Sequence, residues 1–302
     1  MLGRRQIREK VVETLYAHHQ NPLKPEVSEK NMFSEIDKIY NLYVYQLNFL
    51  VALKYLAEQR IELGKNKFIK TEEDLNPNRK FIGNKALKQI EENEERISFT
   101  SKHKELTWDL HDDLLVKTFQ RMTTGKRYQD FMQENGFSFD EDQKFIGKIF
   151  LRYIAENEDV HDYFEDREIS WADDFHIANS MVQKTIGFLK ENEPVHTLIK
   201  VIKDDADRDF GKKLLKTSIE NWKENEQKIS ARLKNWELDR VSLIDKVILI
   251  AAISELDQFP QTASRIIINE YVEISKVFGT EKSNIFVNGI LDKYSKDMNR
   301  IN

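Results

Sequence analysis

The sequence predicts an all-α protein, and three observations carry this prediction. Five prolines and ten glycines are spread over 302 residues, so long stretches can form helices without a break. Hydrophobic residues recur at steps of three and four in most of these stretches, which is the spacing of one helical face. Hydrophobic residues make up 40% of the chain, which is enough for a buried core and argues against wholesale disorder.

Charge and cysteine content narrow the class further. The formal net charge of -5 and the isoelectric point near 5.9 argue against a uniformly nucleic-acid-binding surface. A basic patch can still act locally, because charges are screened beyond roughly 10 Å. The absence of cysteine excludes disulfides, thiolate metal sites and cysteine nucleophiles. We expect a cytoplasmic protein with no signal peptide or membrane helix, since the first residues are charged and no apolar run approaches the roughly 20 residues that a membrane span requires.

The first 20 residues predict a helix with a basic start. Ile7, Val11 and Leu15 form its apolar stripe, and prolines at positions 22 and 25 end it. The cations Arg4, Arg5 and Arg8 cluster in the first turns, where they oppose the helix dipole and so are not explained by helix stability. The sequence pattern alone is compatible with two interpretations of these arginines, a solvated basic helix end and a phosphate-binding patch.

The middle of the chain, residues 26–200, is less informative. A long apolar-rich helix is predicted from Ile36 to Leu63, followed by a polar, loop-like segment to Ser101. The tyrosines at 40, 43 and 45 could stack on nucleobases, but tyrosines on a leucine-lined helix are more typical of a core. We therefore predict that they are buried.

Identical residues recur at one fixed offset between the middle of the chain and its C-terminal part. Phe145 and Trp171 are 26 residues apart, as are Phe210 and Trp236, and the two pairs differ by an offset of 65. Further identities share this offset, namely Lys148 with Lys213, Ile154 with Ile219, Arg167 with Arg232 and Asp174 with Asp239. A degenerate internal repeat is one interpretation. Chance identity in a helical chain is the other.

Three helices are predicted near the C-terminus. Leu243, Val247, Ile250 and Ile253, widened by Leu249 and Leu256, form the buried face of the first. The second runs from Arg265 to Phe278, and Gly279 is expected to close it in a left-handed conformation. Thr280 or Ser283 is expected to cap the third. Lys282 and Ser283 at this joint combine positive charge with free backbone donors, which suits a phosphate, although an ordinary helical corner explains the pattern equally well.

No catalytic or metal site is predicted. Three carboxylate–imidazole pairs have the i, i+3 spacing of helix-bundle metal sites: Glu158 with His161, Asp173 with His176, and Glu193 with His196. A chain with 33% charged residues produces such pairs readily. The sequence also has no glycine-rich phosphate loop, zinc-protease motif or nucleophile elbow. We expect neither cofactor nor metal.

Three segments resemble one known family. They are GRRQIREKVVETLYAHHQ at the start, the run from Asp205 to Leu256, and INEYVEISKVFGTEKSNIFVNGILDK. Their order and unusual residue choices are similar to those of the transcription antitermination factor NusB family, although Gln6 and Ile7 stand where an arginine is common. The resemblance implies a NusB-like helical bundle made of residues 1–20 and 204–302, with residues 26–200 as a helical insertion.

The resemblance also implies a function. A NusB-like factor would pair with ribosomal protein S10 (NusE), hold boxA-like single-stranded RNA in rRNA operon transcripts, and support the RNA polymerase antitermination complex without catalysis. The RNA-binding candidates carried over by position are Arg4, Arg5, Arg8, Arg265, Lys282, Ser283, Phe286 and Asn288. The S10-binding candidates are Tyr16, Asp239 and Asp245. The alternative is a helical scaffold that contacts RNA polymerase or another protein through the insertion and does not bind RNA.

Some rRNA cytosine methyltransferases carry the same helical domain. Those enzymes add a doubly wound domain that binds S-adenosylmethionine, and they attack with a cysteine. This chain has no cysteine and no alternating strand and helix pattern, which argues against that activity.

Overall fold

The computed structural model describes residues 1–134, 138–193, 196–233 and 237–298. These residues form α-helices and no β-strand, with only two isolated bridges. The predicted all-α class is therefore confirmed. The helices are α1 (Arg4–Gln20), α2 (Pro25–Lys65), α3 (Glu72–Leu75), α4 (Lys85–Glu91), α5 (Glu94–Lys102), α6 (Asp113–Thr124), α7 (Lys126–Gln133), α8 (Phe139–Phe150), α9 (Glu158–Arg167), α10 (Ser170–Phe188), α11 (Asp205–Glu220), α12 (Trp222–Ser230), α13 (Leu243–Gln258), α14 (Ser264–Phe278) and α15 (Ser283–Asp297).

The chain divides into two compact units. The core unit comprises Leu2–Ile36 and Ile202–Asn302, and the middle unit comprises Asp37–Val201 together with Met1. The first helix therefore packs with the C-terminal helices, although residues 37–201 lie between the two parts of the core unit in sequence. Helix α2 starts at Pro25, eleven residues before the predicted start, because proline is well suited to the first turn of a helix.

Helix α13 is the centre of the core unit. Every residue from Val247 to Leu256 is buried, so the helix is covered on all sides and not only along its predicted apolar face. Two buried polar side chains within this stretch, Ser254 and Glu255, have partners. Asn225 of α12 donates a hydrogen bond to Ser254 at 2.8 Å, and Arg8 of α1 binds Glu255.

Helix α1 lies close against α11 because one position on α11 lacks a side chain. A Cβ atom at Gly211 would stand 2.9 Å from the side chain of Ile7, which is closer than real Cβ contacts allow. Ile7, Val11 and Leu15 are all essentially unexposed, which confirms the predicted apolar stripe of α1. This packing fixes the direction in which the arginines of α1 point.

An aromatic cluster fills much of the middle unit. Tyr43 and Tyr45 are fully buried, as predicted, whereas Tyr40 is only half-buried and its hydroxyl donates to Glu95 at 2.9 Å. Trp108 stacks on Tyr45 with ring centroids 4.6 Å apart. The indole nitrogen of Trp108 donates to the backbone carbonyl of Tyr45 at 3.1 Å, so the polar atom of this ring is satisfied. Burial raises the pKa of the Tyr43 hydroxyl to about 12.

The helix boundaries partly follow the 65-residue offset. Helix α8 and the π-helical turn that follows it, ending at Ala155, correspond to α11, and α9 corresponds to α12, with ends that agree within two residues. Phe145 and Phe210 are both buried. Helix α13, however, begins later than the offset from α10 requires, and Asp174 is buried whereas Asp239 is exposed. Trp236 lies outside the described residues, so the repeat stays a prediction.

The joint between α14 and α15 differs from the prediction in two ways. Gly279 has φ = -95° and ψ = -172°, which is an extended and not a left-handed conformation. Glycine is needed there because a Cβ atom would fall on the side chain of Ser283 and within 2.6 Å of the carbonyl oxygen of Ser275. The residue that precedes α15 is Lys282, and Ser283 does not cap the helix; its hydroxyl accepts a hydrogen bond from the amide of Thr280 at 2.9 Å.

Within the described residues, no helix combines the length and the apolar character that crossing a membrane would require.

Candidate nucleic-acid and partner-binding surfaces

The start of α1 presents two half-exposed arginines, each held by a carboxylate. The Nε of Arg4 donates to Asp207 at 3.0 Å, and its guanidinium lies 5.1 Å from the ring centre of Phe210. Arg5 binds Glu270 of α14 through Nε and Nη2, both at 2.8 Å. The hydrogen bond from Arg5 holds the pKa of Glu270 below its usual value.

These contacts leave donor capacity on both arginines. The Arg4 and Arg5 side chains are 48% and 44% exposed. A guanidinium has five N–H donors in a planar fork, so a carboxylate that occupies one edge leaves the other edge free. Arg4 and Arg5, with Ile266 and Glu270, border a shallow cavity of about 530 Å³, which we call the arginine end of the core unit.

Arg8 occupies a different environment from its two neighbours. Its side chain is 5% exposed and donates through Nε and Nη2 to Glu255 at 2.7 and 2.5 Å. The hydroxyl of Tyr271 donates to the same carboxylate at 2.9 Å. Burial acts to lower the pKa of Arg8 and is the largest single influence, but the hydrogen bond to Glu255 and the charges of Glu255, Tyr271 and Glu270 together outweigh it, so the net direction is upward.

The predicted shared face of Arg4 and Arg8 thus contains one surface arginine and one buried one. Although Arg8 also touches the cavity of the arginine end, its guanidinium is paired with a buried carboxylate and offers little surface to a phosphate. In this structure Arg8 joins α1 to α13, and Arg4 and Arg5 remain as the surface cations of the helix.

A second surface lies at the joint of α14 and α15. A groove of about 580 Å³, which we call the Lys282 groove, is bordered by Lys282, Phe286 and Asp245. Three further cations line it, namely Arg232, Arg240 and Lys293. Lys282 is exposed, Phe286 is half-buried, Asn288 is exposed, and Ser283 is 1% exposed.

Asp245 gives this groove an unusual acceptor. The residue is 8% exposed, and its Oδ1 has no hydrogen-bond partner among the residues that the structure describes. A buried carboxylate oxygen without a donor is costly, so such an atom is well placed to receive a donor from a bound molecule. Asp245, predicted to face a protein partner, and Lys282, predicted to face RNA, therefore border one groove.

The two surfaces are separate. Arg265 is exposed at the start of α14, beside the arginine end, whereas Lys282 follows the end of the same helix. A helix of fifteen residues is about 22 Å long, and the two cavities share no lining residue. The expected single groove, with Arg4 or Arg8 beside Lys282, is replaced by two surfaces at opposite ends of α14.

The remaining partner candidates are accessible. Tyr16 is 38% exposed on α1, about 18 Å along the helix from Arg4. Asp239 is exposed in a short 3₁₀ turn, Leu238–Arg240, that leads to the Lys282 groove.

The cations Arg232, Arg240 and Lys293 were not predicted from sequence. They come from three segments that only the tertiary packing brings together, and no local pattern marks them.

The histidine pairs do not form a common site in the described residues. His161 lies near Asp162 and Glu165 on one exposed turn of α9, with its Nδ1 at 4.0 and 3.8 Å from their carboxylates. His176 instead contacts the backbone carbonyl of Asp173, and His196 lies 3.6 Å from Glu94. Pro194, within the third predicted pair, is outside the described residues.

Within the described residues, the core unit is a helical bundle that carries two surfaces combining cationic and apolar side chains. A family model described as the NusB family matches residues 176–296. The match begins within α10, earlier than the expected start at residue 204, and it ends in α15.

Several curated relatives named "Transcription antitermination protein NusB" are similar to the chain. The one from Methylacidiphilum infernorum is 42% identical over 97 residues, which cover 32% of this chain and 68% of the relative. The one from Salinibacter ruber is 30% identical over 128 residues, covering 40% of this chain and 80% of the relative. The chain belongs to the NusB family. No solved structure matches it.

Proposed function

We propose that this chain is a non-enzymatic transcription antitermination factor that binds boxA-like single-stranded RNA and pairs with ribosomal protein S10 (NusE) in the RNA polymerase antitermination complex. Family membership supports the antitermination role. The observation that supports RNA binding most directly is the half-exposed pair Arg4 and Arg5 at the start of α1. Their free guanidinium edges would donate charge-assisted hydrogen bonds to phosphates.

In this proposal each of the two surfaces makes a separate contact with the RNA. The arginine end, extended by Arg265, would hold the RNA backbone. The Lys282 groove would hold a second contact, because it combines cations with the apolar side chains of Phe286 and Ile285, the latter 73% exposed. Phosphate contacts position a strand, and aromatic or apolar side chains meet its bases. Arg8 would act indirectly by fixing α1 against α13.

The S10 side is proposed from the acidic residues. Among the described residues, Asp245 has an acceptor oxygen without a partner, and Asp239 is an exposed carboxylate nearby in sequence. A basic side chain of S10 would satisfy Asp245. We expect Asp245→Asn to lower the affinity for S10 in a calorimetric titration, because the neutral amide loses the charge-assisted bond. An unchanged affinity would remove Asp245 from this surface.

The decisive test is a charge reversal at the arginine end. Arg4→Glu with Arg5→Glu should weaken binding of boxA-like RNA at least about 10-fold, since two phosphate contacts become repulsive. Two lost contacts should also reduce the slope of log affinity against log salt by roughly 1.4, at about 0.7 per phosphate for a single strand. Fluorescence anisotropy over a salt series, with circular dichroism as a check of helicity, measures both quantities.

The matched control reverses two other paired surface cations of the core unit. Lys212 and Lys216 of α11 are 55% and 57% exposed and pair with Glu29 and Glu220. Lys212→Glu with Lys216→Glu changes the net charge equally. If both double variants weaken binding equally, the effect is general charge and the arginine end is not the RNA site.

The same titration with and without S10, against boxA and scrambled RNA, tests the scaffold alternative. A preference for boxA that appears or strengthens with S10 supports the proposal. No preference in either case would favour a helical scaffold.

A further inference from the structure

The middle unit exposes a cluster of large apolar side chains within thirteen residues. Phe68 is fully exposed, Ile69 is 81% exposed, and Leu63 and Leu75 are 61% and 59% exposed. Single exposed apolar residues are ordinary, but a contiguous group marks an interaction site. Nothing in the proposed RNA-binding function uses this segment.

The segment is held in place by one carboxylate. Asp74 accepts from the ammonium of Lys67 at 2.8 and 3.1 Å, and from the amide and hydroxyl of Thr71 at 3.0 and 2.9 Å. Gly64 also approaches it so closely that a Cβ atom would stand 2.6 Å from Oδ1. These bonds lower the pKa of Asp74 to about 2, with the Lys67 bond as the largest cause. Phe68 and Ile69 therefore project from a closed loop.

A cavity of about 730 Å³ adjoins this loop. Its lining includes Ile61, Phe81, Phe119 and Met132, and it is bordered by Lys67 and Asp74, the residues that close the base of the loop. A cavity of roughly 150 Å³ can hold a benzene ring, so this one has room for the side chains of both Phe68 and Ile69.

We propose that the middle unit is a self-association surface, in which Phe68 and Ile69 of one copy enter the Phe119-lined cavity of a second copy, and the reverse. The projection and the cavity share Lys67 and Asp74, so both lie on one face of the unit. A face that carries both a projection and a matching cavity is self-complementary about a two-fold axis, as isologous dimers require.

Charge supports a second copy as the occupant. Lys70 follows Ile69 on the projecting loop, and Glu73 borders the cavity; both are exposed, and neither has an ion pair within the described parts of the chain. Docking would place Lys70 of one copy near Glu73 of the other.

The absence of native cysteine makes a clean crosslinking test possible. Phe68→Cys and Gln129→Cys, the latter at an exposed residue that lines the cavity, are prepared as separate full-length proteins with tags of different size. The two are mixed, oxidised mildly and separated without reductant. We expect the mixed disulfide to exceed both like-with-like disulfides at least about 5-fold.

The matched control replaces Phe68→Cys by Ile169→Cys, because Ile169 is 78% exposed in the same unit but does not border the cavity. This mixture should give only the background level of crosslinking. Mixed disulfides at the same level for Phe68→Cys and Ile169→Cys would overturn the proposal. A predominance of Phe68→Cys crosslinked to itself would also overturn it, because the loops would then meet each other.

Sedimentation of the full chain gives a second readout. We expect the native chain to form dimers in the micromolar range that is typical of small interfaces, and Phe68→Ser with Ile69→Ser to weaken association at least about 10-fold. Ile169→Ser should associate like the native chain. A native chain that remains monomeric at about 100 μM, or a double variant that weakens RNA binding without changing the sedimentation, would refute self-association.

Discussion

The buried pair Arg8–Glu255 is the strongest test of how α1 is held. Arg8 reaches Glu255 at 2.7 and 2.5 Å, and the two side chains are 5% and 0% exposed. Removing one partner of a buried ion pair leaves the other charge buried without compensation, which lowers the free energy of unfolding by about 3 to 5 kcal/mol. Because the Tyr271 hydroxyl still donates to the carboxylate, we expect Arg8→Met to cost about 3 kcal/mol, at the lower end of this range.

Removing both charges should be far less costly than the two single changes suggest. Arg8→Met with Glu255→Leu removes both charges of the pair, and the main remaining cost is that the Tyr271 hydroxyl loses its acceptor, at about 1 to 3 kcal/mol. The double variant should therefore lose roughly 1 to 3 kcal/mol, well below the sum of the single variants. The coupling energy between the two sites should be about 2 kcal/mol or more.

Urea unfolding followed by far-ultraviolet circular dichroism measures these free energies, and hydrogen exchange of the α13 amides reports on the core unit. Arg4→Met is the control, because the Arg4 side chain is 48% exposed and its pair with Asp207 should be worth less than about 1 kcal/mol. If Arg8→Met costs no more than Arg4→Met, or if the double variant equals the sum of the singles, then the pair does not hold α1 in place.

Three further outcomes are expected. Lys282→Ala should weaken RNA binding by about 1 kcal/mol, as one phosphate contact, while Lys276→Ala, also at an exposed lysine of the core unit, should change it little in the same anisotropy assay. Gly279→Ala should destabilise the core unit by about 1 to 3 kcal/mol in urea, because its Cβ would stand 2.6 Å from the Ser275 carbonyl oxygen; an unchanged midpoint would contradict this close approach. Burial, and then the charge of His19, lower the pKa of His18 below 6.5. The unfolded chain therefore binds a proton on His18 more tightly than the folded chain, and the free energy of unfolding should fall as the pH drops through 6.5. His18→Gln should make the dependence of this free energy on pH flatter, and an unchanged dependence would refute the role of His18.

The helices at the two ends of the chain were predictable from sequence because their signals are local, whereas the segment up to Ser101, predicted to be loop-like, contains α3, α4 and most of α5. The apolar stripe at Ile7, Val11 and Leu15, for example, lies on one face of α1 and is buried as expected. Local rules failed where two helices meet. Gly279 was predicted to be needed for a left-handed backbone, but its backbone is extended. Glycine is needed there because Ser283 approaches too closely for a Cβ atom, and no sequence pattern reveals this contact.

The sequence could not predict that Arg8 is buried while Arg4 is at the surface, because this difference also depends on how separate helices pack. Arg4 and Arg8 are one turn apart and look equivalent along α1. Their environments differ because Glu255 is buried at the end of α13, and Asp207 is at the surface of α11. Which carboxylate an arginine meets depends on packing between segments more than 200 residues apart, and a helical repeat pattern contains no information about it.

The pairing at the arginine end also affects how RNA would bind. Asp207 and Glu270 offset part of the charge of Arg4 and Arg5, so an RNA that touches only this end would bind more weakly than one that also reaches a second basic surface. The Lys282 groove, about 22 Å away along α14, provides a second set of cations. Two weak contacts to one RNA strand give a higher overall affinity, because the second contact forms within a complex that the first has already assembled. Affinity for the core unit should therefore rise sharply once an RNA is long enough to reach both surfaces, and a gradual increase with length would indicate that the two surfaces act independently.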